Sequence, residues 1–410
     1  MKLRKPSYYD RFHCIGSACS DTCCANWEIE VDEESAGRYA ALTGAIGERM
    51  KHNLVIEENE AYFAMNETRR CPFLNRENLC DLILECGEEI LCDICREHPR
   101  HYEWFGDYTE VGLGLCCEEA ERLLLTQEEP LTFQVEESEG ETEAEIEEER
   151  QIEDQTEDQT EDQSSYINLF LKARETAYSI VQNREMKVED RLILLLQYGE
   201  ELQESLDLDE LGAMERSVAI YQNQASALAA WKQMLRICGE PEQSDAGMKA
   251  WQQIFEIYSG LEALNPDWKS QMVQIAEQLP VLMERRESWK NSYGQAERDY
   301  ENLTVYFLYR YFMEALFDGD ILGKIKFAVI SILVIYGMDL MAYEQKRDVP
   351  GENSGKPEPE FELTEQLAVI RRYSKEVEYC TENMELLLKA CWEEECMSTE
   401  QLTEVLKLLM

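Results

Sequence analysis

The sequence is short of positive charge. Its 39 lysines and arginines face 85 aspartates and glutamates, a formal net charge of −46. A surface this acidic repels phosphate backbones, so no nucleic-acid partner is expected. It suits a basic protein partner, although solubility alone is the simpler reading of charge by itself. An apolar leader is also missing. Met1-Lys2-Leu3-Arg4-Lys5-Pro6 runs into Ser7-Tyr8-Tyr9-Asp10, so no secretory signal is expected and a cytoplasmic location is. The longest apolar run, Phe327 to Met338, has 12 residues. A bilayer needs about 20. With Lys326 and Asp339 at its ends, the run predicts a buried core helix and no membrane partner. No G-x-G-x-x-G turn follows a strand, and no P-loop and no G-x-S-x-G elbow occurs. These absences exclude an ordinary Rossmann nucleotide site, a P-loop nucleotidase and a serine hydrolase of the elbow type. The Cys-x3-Cys-x2-Cys spacing of radical enzymes is missing too, because Cys19-x3-Cys23 runs straight into Cys24.

What the chain has in quantity is cysteine. Eleven of its 15 cysteines fall between Cys14 and Cys117. In a reducing compartment, thiols at that density point to metal or catalysis rather than disulfides. They form four groups: Cys14-x4-Cys19-x3-Cys23-Cys24; Cys71-Pro72-Phe73-Leu74 with Cys80; Cys92-x2-Cys95; and Cys116-Cys117. Cys86 stands between the second and third. A Cys-x2-Cys turn aims two sulfurs at one centre, and sulfurs from distant sequence close the shell. Neighbours in sequence cannot easily bind one metal together. One of each adjacent pair then ligates while the other packs, or two centres exist. Zinc and iron–sulfur both fit, and the number of thiols exceeds one tetrahedral site. The alternative is a set of inert buried cysteines. His13, His98 and His101 lie nearby as supporting or incidental groups. Cys238, Cys380, Cys391 and Cys396 sit in helical text and read as packing residues.

Composition divides the 410 residues into three. Residues 1–127 form a loop-rich cysteine-cluster domain. Residues 128–163 hold 17 acidic residues and a single base, Arg150, and include the repeat from Glu153 to Gln163. That segment predicts a disordered acidic linker or insertion, since it has too little apolar area to offset ordering. Residues 164–410 predict a helical domain. Leu303, Phe307, Leu308, Tyr311 and Phe312 recur at three- and four-residue spacing, as do Val369, Ile370, Tyr373 and Val377. The fold class expected is mainly α.

Several spaced motifs resemble the flagellin lysine-N-methylase family. They are Tyr8-x3-Phe12-x-Cys14-Ile15-Gly16-x2-Cys19-x-Asp21-x-Cys23-Cys24-x2-Trp27, then Cys71-Pro72-Phe73-Leu74 with Leu79-Cys80, then Gly87-Glu88-x2-Leu91-Cys92-x2-Cys95 and Pro99-Arg100. Cys117-Glu118-Glu119-Ala120-x-Arg122-Leu123 is similar to the family's Cys-Pro-Glu-Ala-Ala-Arg segment, with Glu118 in place of proline. The same region resembles a broader zinc- or iron-chelating cysteine-cluster family. The resemblance implies methyl transfer from S-adenosylmethionine to lysine amines of flagellin, dependent on a cluster, [4Fe–4S] rather than zinc. It implies the ligand candidates Cys14, Cys19, Cys23, Cys24, Cys71, Cys80, Cys92, Cys95 and Cys117. Cys86 and Cys116 fall outside the pattern. Two roles stay open for the cluster: holding the methyl donor, or stapling a small domain while the donor sits among the helices. Tyr8, Trp27 and Glu28 are candidates to touch substrate or cluster, with local packing as the plainer reading. The rival function is a non-enzymatic zinc- or iron-binding protein.

Overall fold

A computed structural model describes residues 2–25, 27, 29–57, 60–67, 69–137, 158–223, 245–347 and 359–409. Helices dominate the described residues. The strands are short: β1 (Lys2–Pro6), β2 (Leu54–Glu57), β3 (Glu60–Phe63), β4 (Arg100–Phe105), β5 (Tyr108–Leu113) and β6 (Phe133–Glu137). Two compact units divide the chain. One comprises Tyr8–Glu103 with Val111–Leu123, and the other comprises Met1–Ser7, Trp104–Glu110 and Leu124–Met410.

The first unit carries all eleven N-terminal cysteines. It contains α1 (Glu33–Ala40), α2 (Gly44–Asn53), α3 (Asp81–Cys86), α4 (Asp93–Glu97) and most of α5 (Glu118–Leu125). Its helices are short because the chain keeps turning back. The core is correspondingly small: Ile29, Val31, Tyr39, Ile46, Met50, Phe63, Phe73 and Leu82, joined by Cys71 and Cys92. The Phe63 and Phe73 rings meet edge to face at 5.1 Å, and Tyr39 stacks on Phe63 at 5.7 Å. Asp32 caps two helices at once. Its Oδ1 accepts the Ser35 N–H of α1 at 2.8 Å, and its Oδ2 accepts the Asp93 N–H of α4 at 2.9 Å.

The second unit contains α6 (Asp158–Val181), α7 (Val188–Asp207), α8 (Leu211–Gln222), α9 (Asp245–Ser259), α10 (Trp268–Glu284), α11 (Arg286–Ser292), α12 (Ala296–Tyr311), α13 (Ala315–Asp318), α14 (Ile321–Arg347), α15 (Leu363–Val377), α16 (Thr381–Glu393) and α17 (Thr399–Leu409). Its strand β1 lies between β5, which runs parallel with Leu3 opposite Thr109, and β6, which runs antiparallel with Arg4 opposite Val135. The segment expected to be a linker therefore supplies a strand at Phe133–Glu137 and the start of a helix at Asp158. Residues 138–157 lie outside the described set, as does Cys238.

Helix α14 is the centre of this unit. It packs against α7, α10, α12, α15 and α16. It is apolar on every side, as befits a helix enclosed by others. It is long and apolar enough to cross a membrane, but its most apolar stretch is wholly buried inside the protein. Gly319, at φ +71°, ends α13 in the left-handed region, and Asp320 Oδ1 then accepts the Gly323 N–H at 2.7 Å. Gln203 Oε1 of α7 accepts the next two orphan donors of α14, Ile321 N–H at 2.9 Å and Leu322 N–H at 3.1 Å. The expected stripes on α12 and α15 are core: Leu303, Phe307, Leu308, Phe312, Ile370, Tyr373 and Val377 are all buried.

Candidate functional site: a thiol cluster and a buried acid–aromatic cluster

Local folding brings the cysteines to similar surroundings. Cys80 and Cys92 occupy the N-cap positions of α3 and α4, and Cys117 directly precedes α5. At each, backbone N–H groups of the first helical turn point at the sulfur: Leu82 and Ile83 at Cys80, Cys95 at Cys92, Glu119 and Ala120 at Cys117. Cys71 has the same arrangement from Phe73 and Leu74 in its turn. Such donors favour thiolate, the form that binds metal. Burial opposes them. It pushes Cys71 up to about 12 and Cys117 up to about 11.

The neighbouring cysteines Cys23 and Cys24 part company. Cys24 shares a field of mutual repulsion with Cys71, Cys80 and Cys95, and Cys95 is hydrogen-bonded to Cys92. Cys23 feels Cys14 and Cys117, and Cys117 in turn feels Cys19. Five thiols (Cys24, Cys71, Cys80, Cys92, Cys95) thus gather beside the core, and four (Cys14, Cys19, Cys23, Cys117) gather around the N-terminal turns. Two pairs of sulfurs are hydrogen-bonded, Cys23 with Cys24 and Cys92 with Cys95. In one, the Cys23 thiol lowers Cys24 to about 7, and in the other Cys95 lowers Cys92 to about 7. Cys23 and Cys95 move up in consequence.

All cysteines among the described residues are free thiols. Among those residues, no group of three or more His, Cys, Asp or Glu side chains stands close enough to hold a metal ion. Clustered thiols without disulfides, met by backbone N–H donors, nonetheless fit the requirements of a soft metal.

The surroundings are specific. Trp27 Nε1 donates to the Cys23 carbonyl at 2.6 Å, and its ring lies 6.0 Å from that of His98. Tyr8 is buried. Glu28 lies outside the described residues. The imidazole of His98 stands 3.9 Å from Cys116 Sγ, and Cys86 is exposed. Glu118, which replaces the family's proline, accepts the Ser20 N–H at 2.8 Å and approaches Cys19 Sγ at 3.8 Å. The departure in sequence thus serves to fasten the Cys19 turn to α5. His101 fills the space over Gly112, where an added Cβ would come within 2.2 Å of Nε2. Of the late cysteines, Cys391 and Cys396 are buried packing residues and Cys380 is partly exposed.

A second constellation, in the helical unit, escaped the sequence reading. Trp289 (α11), Tyr293, Tyr300 (α12), Tyr336 (α14) and Phe361 form a continuous set of rings. The Trp289 centroid lies 5.1 Å from Tyr336, 6.1 Å from Phe361, 6.2 Å from Tyr300 and 6.3 Å from Tyr293. Two fully buried carboxyls stand among them. Asp339 Oδ2 accepts from Tyr300 OH at 2.6 Å and from Gln366 Nε2 at 3.1 Å, and Asp299 Oδ2 accepts from Tyr293 OH at 2.5 Å. Burial lifts Asp299 to about 7 and Asp339 well above the usual carboxylate range, and the two repel each other. The signal available was Asp339 itself, an acid closing an apolar run, which reads as a run's end until its burial is known.

Comparison with known proteins bears on the helical unit. The family model for the FliB lysine N-methylase C-terminal domain matches residues 174–405. The chain is 26% identical over 129 residues to the flagellar biosynthetic protein FliU of Salmonella muenchen, covering 30% of this chain and 76% of that protein. It is 26% identical, again over 129 residues, to proteins named lysine-N-methylase from Salmonella typhimurium strain LT2 and Salmonella choleraesuis strain SC-B67. Those matches span 32% of each of the two proteins. No solved structure matches.

Proposed function

Since the chain belongs to the lysine N-methylase family, whose C-terminal domain covers residues 174–405, we propose that it transfers methyl groups from S-adenosylmethionine to lysine side chains of flagellin, in the cytoplasm. The observation that carries this reading is the pairing of that domain with the thiol-rich unit in one chain. The names of the relatives, a lysine-N-methylase and a flagellar biosynthetic protein, support the amine acceptor and the flagellar substrate.

The reaction asks little covalent chemistry of the protein. The nucleophile is the neutral amine of the substrate lysine. Its nitrogen bonds to the methyl carbon, the carbon–sulfur bond breaks, and the electron pair stays on sulfur as a thioether. The amine's proton leaves to solvent. A free lysine titrates near 10.4, so the site must desolvate the amine or supply a base to leave it unprotonated. Alignment of amine, methyl and sulfur then carries the rate.

The thiol unit would hold an iron–sulfur cluster, with zinc as the competing occupant. Cys24, Cys71, Cys80, Cys92 and Cys95 are the donor set on one side, and Cys14, Cys19, Cys23 and Cys117 on the other. The cluster would supply Lewis-acid iron and cross-link a unit whose core is small. The chain's own part is to present N–H donors to the sulfurs and to exclude water from Cys71 and Cys92, which are buried.

Anaerobically purified protein incubated with flagellin and S-adenosylmethionine should raise the flagellin mass in steps of one methyl group. Unchanged flagellin mass with a fully loaded cluster would overturn the proposal. Protein that holds only zinc and binds no methyl donor would instead be a metal-binding module.

A further inference from the structure

We propose that the Asp299–Asp339 cluster of the helical unit is a binding site for an organic cation, an alkylammonium or sulfonium head group. The argument begins with atoms that lack partners. Asp339 Oδ1, Gln366 Oε1, Trp289 Nε1 and the Tyr336 hydroxyl are buried with no hydrogen bond. Asp299 Oδ1 has none either; its nearest cation is Arg298 Nε, 3.8 Å away on a side chain that reaches solvent. The residues that carry these atoms, Arg298 apart, are at most 3% exposed. Buried polar atoms are almost always paired, so a concentration of unpaired ones marks an occupant.

The character of that occupant follows from the rest of the cluster. Three of the five atoms are pure acceptors, and two of these belong to carboxyls that repel each other. Two buried carboxylates can both be ionised only beside a cation. Tyr293 and Tyr300, whose hydroxyls bond the two carboxyls, belong to a set of five packed rings, with the Tyr300 and Tyr336 centroids 5.6 Å apart and those of Tyr293 and Phe361 5.2 Å apart. Aromatic rings beside carboxylates form the chemistry that favours soft, weakly hydrated cations over metal ions or water. A tightly hydrated divalent cation would demand oxygen ligands from all sides, which aromatic walls deny it. Arg298 Nε, buried 3.8 Å from Asp299 Oδ1, offsets part of the charge on that carboxyl and leaves Asp339 Oδ1 without a partner.

Two molecules of the proposed reaction carry such a head group: the substrate lysine and the sulfonium of S-adenosylmethionine. The identity of the cation rests on the methyl-transfer reading; its binding does not. The test uses the full chain and titration calorimetry with three probes: S-adenosylmethionine, its neutral thioether S-adenosylhomocysteine, and n-butylammonium. Asp339→Asn and Asp299→Asn keep the shape and remove the charge. Each should weaken binding of the cationic probe at least tenfold and leave the neutral thioether's affinity unchanged. Loss confined to S-adenosylmethionine assigns the sulfonium, and loss confined to n-butylammonium assigns the amine. Trp289→Phe, which keeps both carboxyls, should weaken the same probe several-fold, with circular dichroism confirming the fold. Equal cation affinity in wild type and all three folded variants overturns the proposal, as does a wild type that binds neither cation. Cation binding without flagellin methylation sinks the methylase reading and leaves the site standing. Methylation with unaltered KM in both asparagine variants does the reverse.

Discussion

Cys23 and Cys24 are consecutive in the chain and face different thiol groups. Substituting each separately therefore distinguishes the two sets. Cys23→Ser and Cys24→Ser, one from each set, should each lower the iron or zinc bound per chain, whereas Cys86→Ser, at an exposed cysteine, should leave it unchanged; metal analysis of anaerobic preparations reads the difference. Equal metal content in all three variants would remove the donor assignment. Gly112→Ala places a methyl group within 2.2 Å of the His101 ring. It should cost about 1–3 kcal/mol, seen in denaturant midpoints. Asp299 gives a pH dependence with a definite sign. Its folded value of about 7 lies above that of an unfolded aspartate. The folded chain thus holds an extra proton between the two values, and the stability this confers falls as pH rises from about 4 to about 7. Tyr293, Arg298 and Asp339 are the groups that face it. Asp299→Asn, neutral throughout, should melt at a higher temperature than wild type at pH 8 in the absence of ligand, and at the same temperature near pH 4. A constant difference across that range would refute the assignment.

At the scale of elements, the sequence was legible where a helix is uniformly apolar on one face. The stripes on α12 and α15 are core, as their spacing predicts. The apolar run Phe327–Met338 is buried, yet its helix extends from Ile321 to Arg347. The run looked short because Lys324 and Lys326 interrupt it, and both are buried through remote partners. Lys324 pairs with Glu314 at 3.0 Å and Asp318 at 2.8 Å, and Lys326 donates to the Cys391 carbonyl at 2.9 Å. Periodicity cannot see a partner supplied from elsewhere. Strand β1 was invisible for the same reason: Lys-Leu-Arg-Lys-Pro shows no apolar alternation, and Arg4 and Lys5 are buried against Glu110, Glu175 and Glu136. The cap from α7 is open to test. Gln203→Ala leaves the Ile321 and Leu322 amides without an acceptor and should cost about 1–3 kcal/mol of stability. A loss within about 0.3 kcal/mol would show that water replaces the side chain.

At the scale of the whole molecule, composition located the cysteines and the helices but not the path of the chain between units. The helical unit uses residues from before and within the thiol-rich region. Arg174 is fully buried against Glu110, which accepts its Nη1 at 2.7 Å, and Tyr309 OH donates to the Arg4 carbonyl at 2.9 Å. A fragment of residues 128–410, cut where composition changes, would lack β1, β5 and the Glu110 carboxylate. Leaving Arg174 unpaired in the interior costs about 3–5 kcal/mol. The fragment should be far more sensitive to limited proteolysis than the full chain, and equal resistance would show that the first strand is dispensable.

That path also sets an order of events during synthesis. Strand β1 leaves the ribosome before its neighbours β5 and β6, which end at residues 113 and 137, and the hydroxyl that meets the Arg4 carbonyl belongs to residue 309. The thiol-bearing unit closes at residue 123. A nascent chain therefore finishes its inserted part while the host is still waiting for most of its helices, with a basic N-terminal strand held unpaired in the interval.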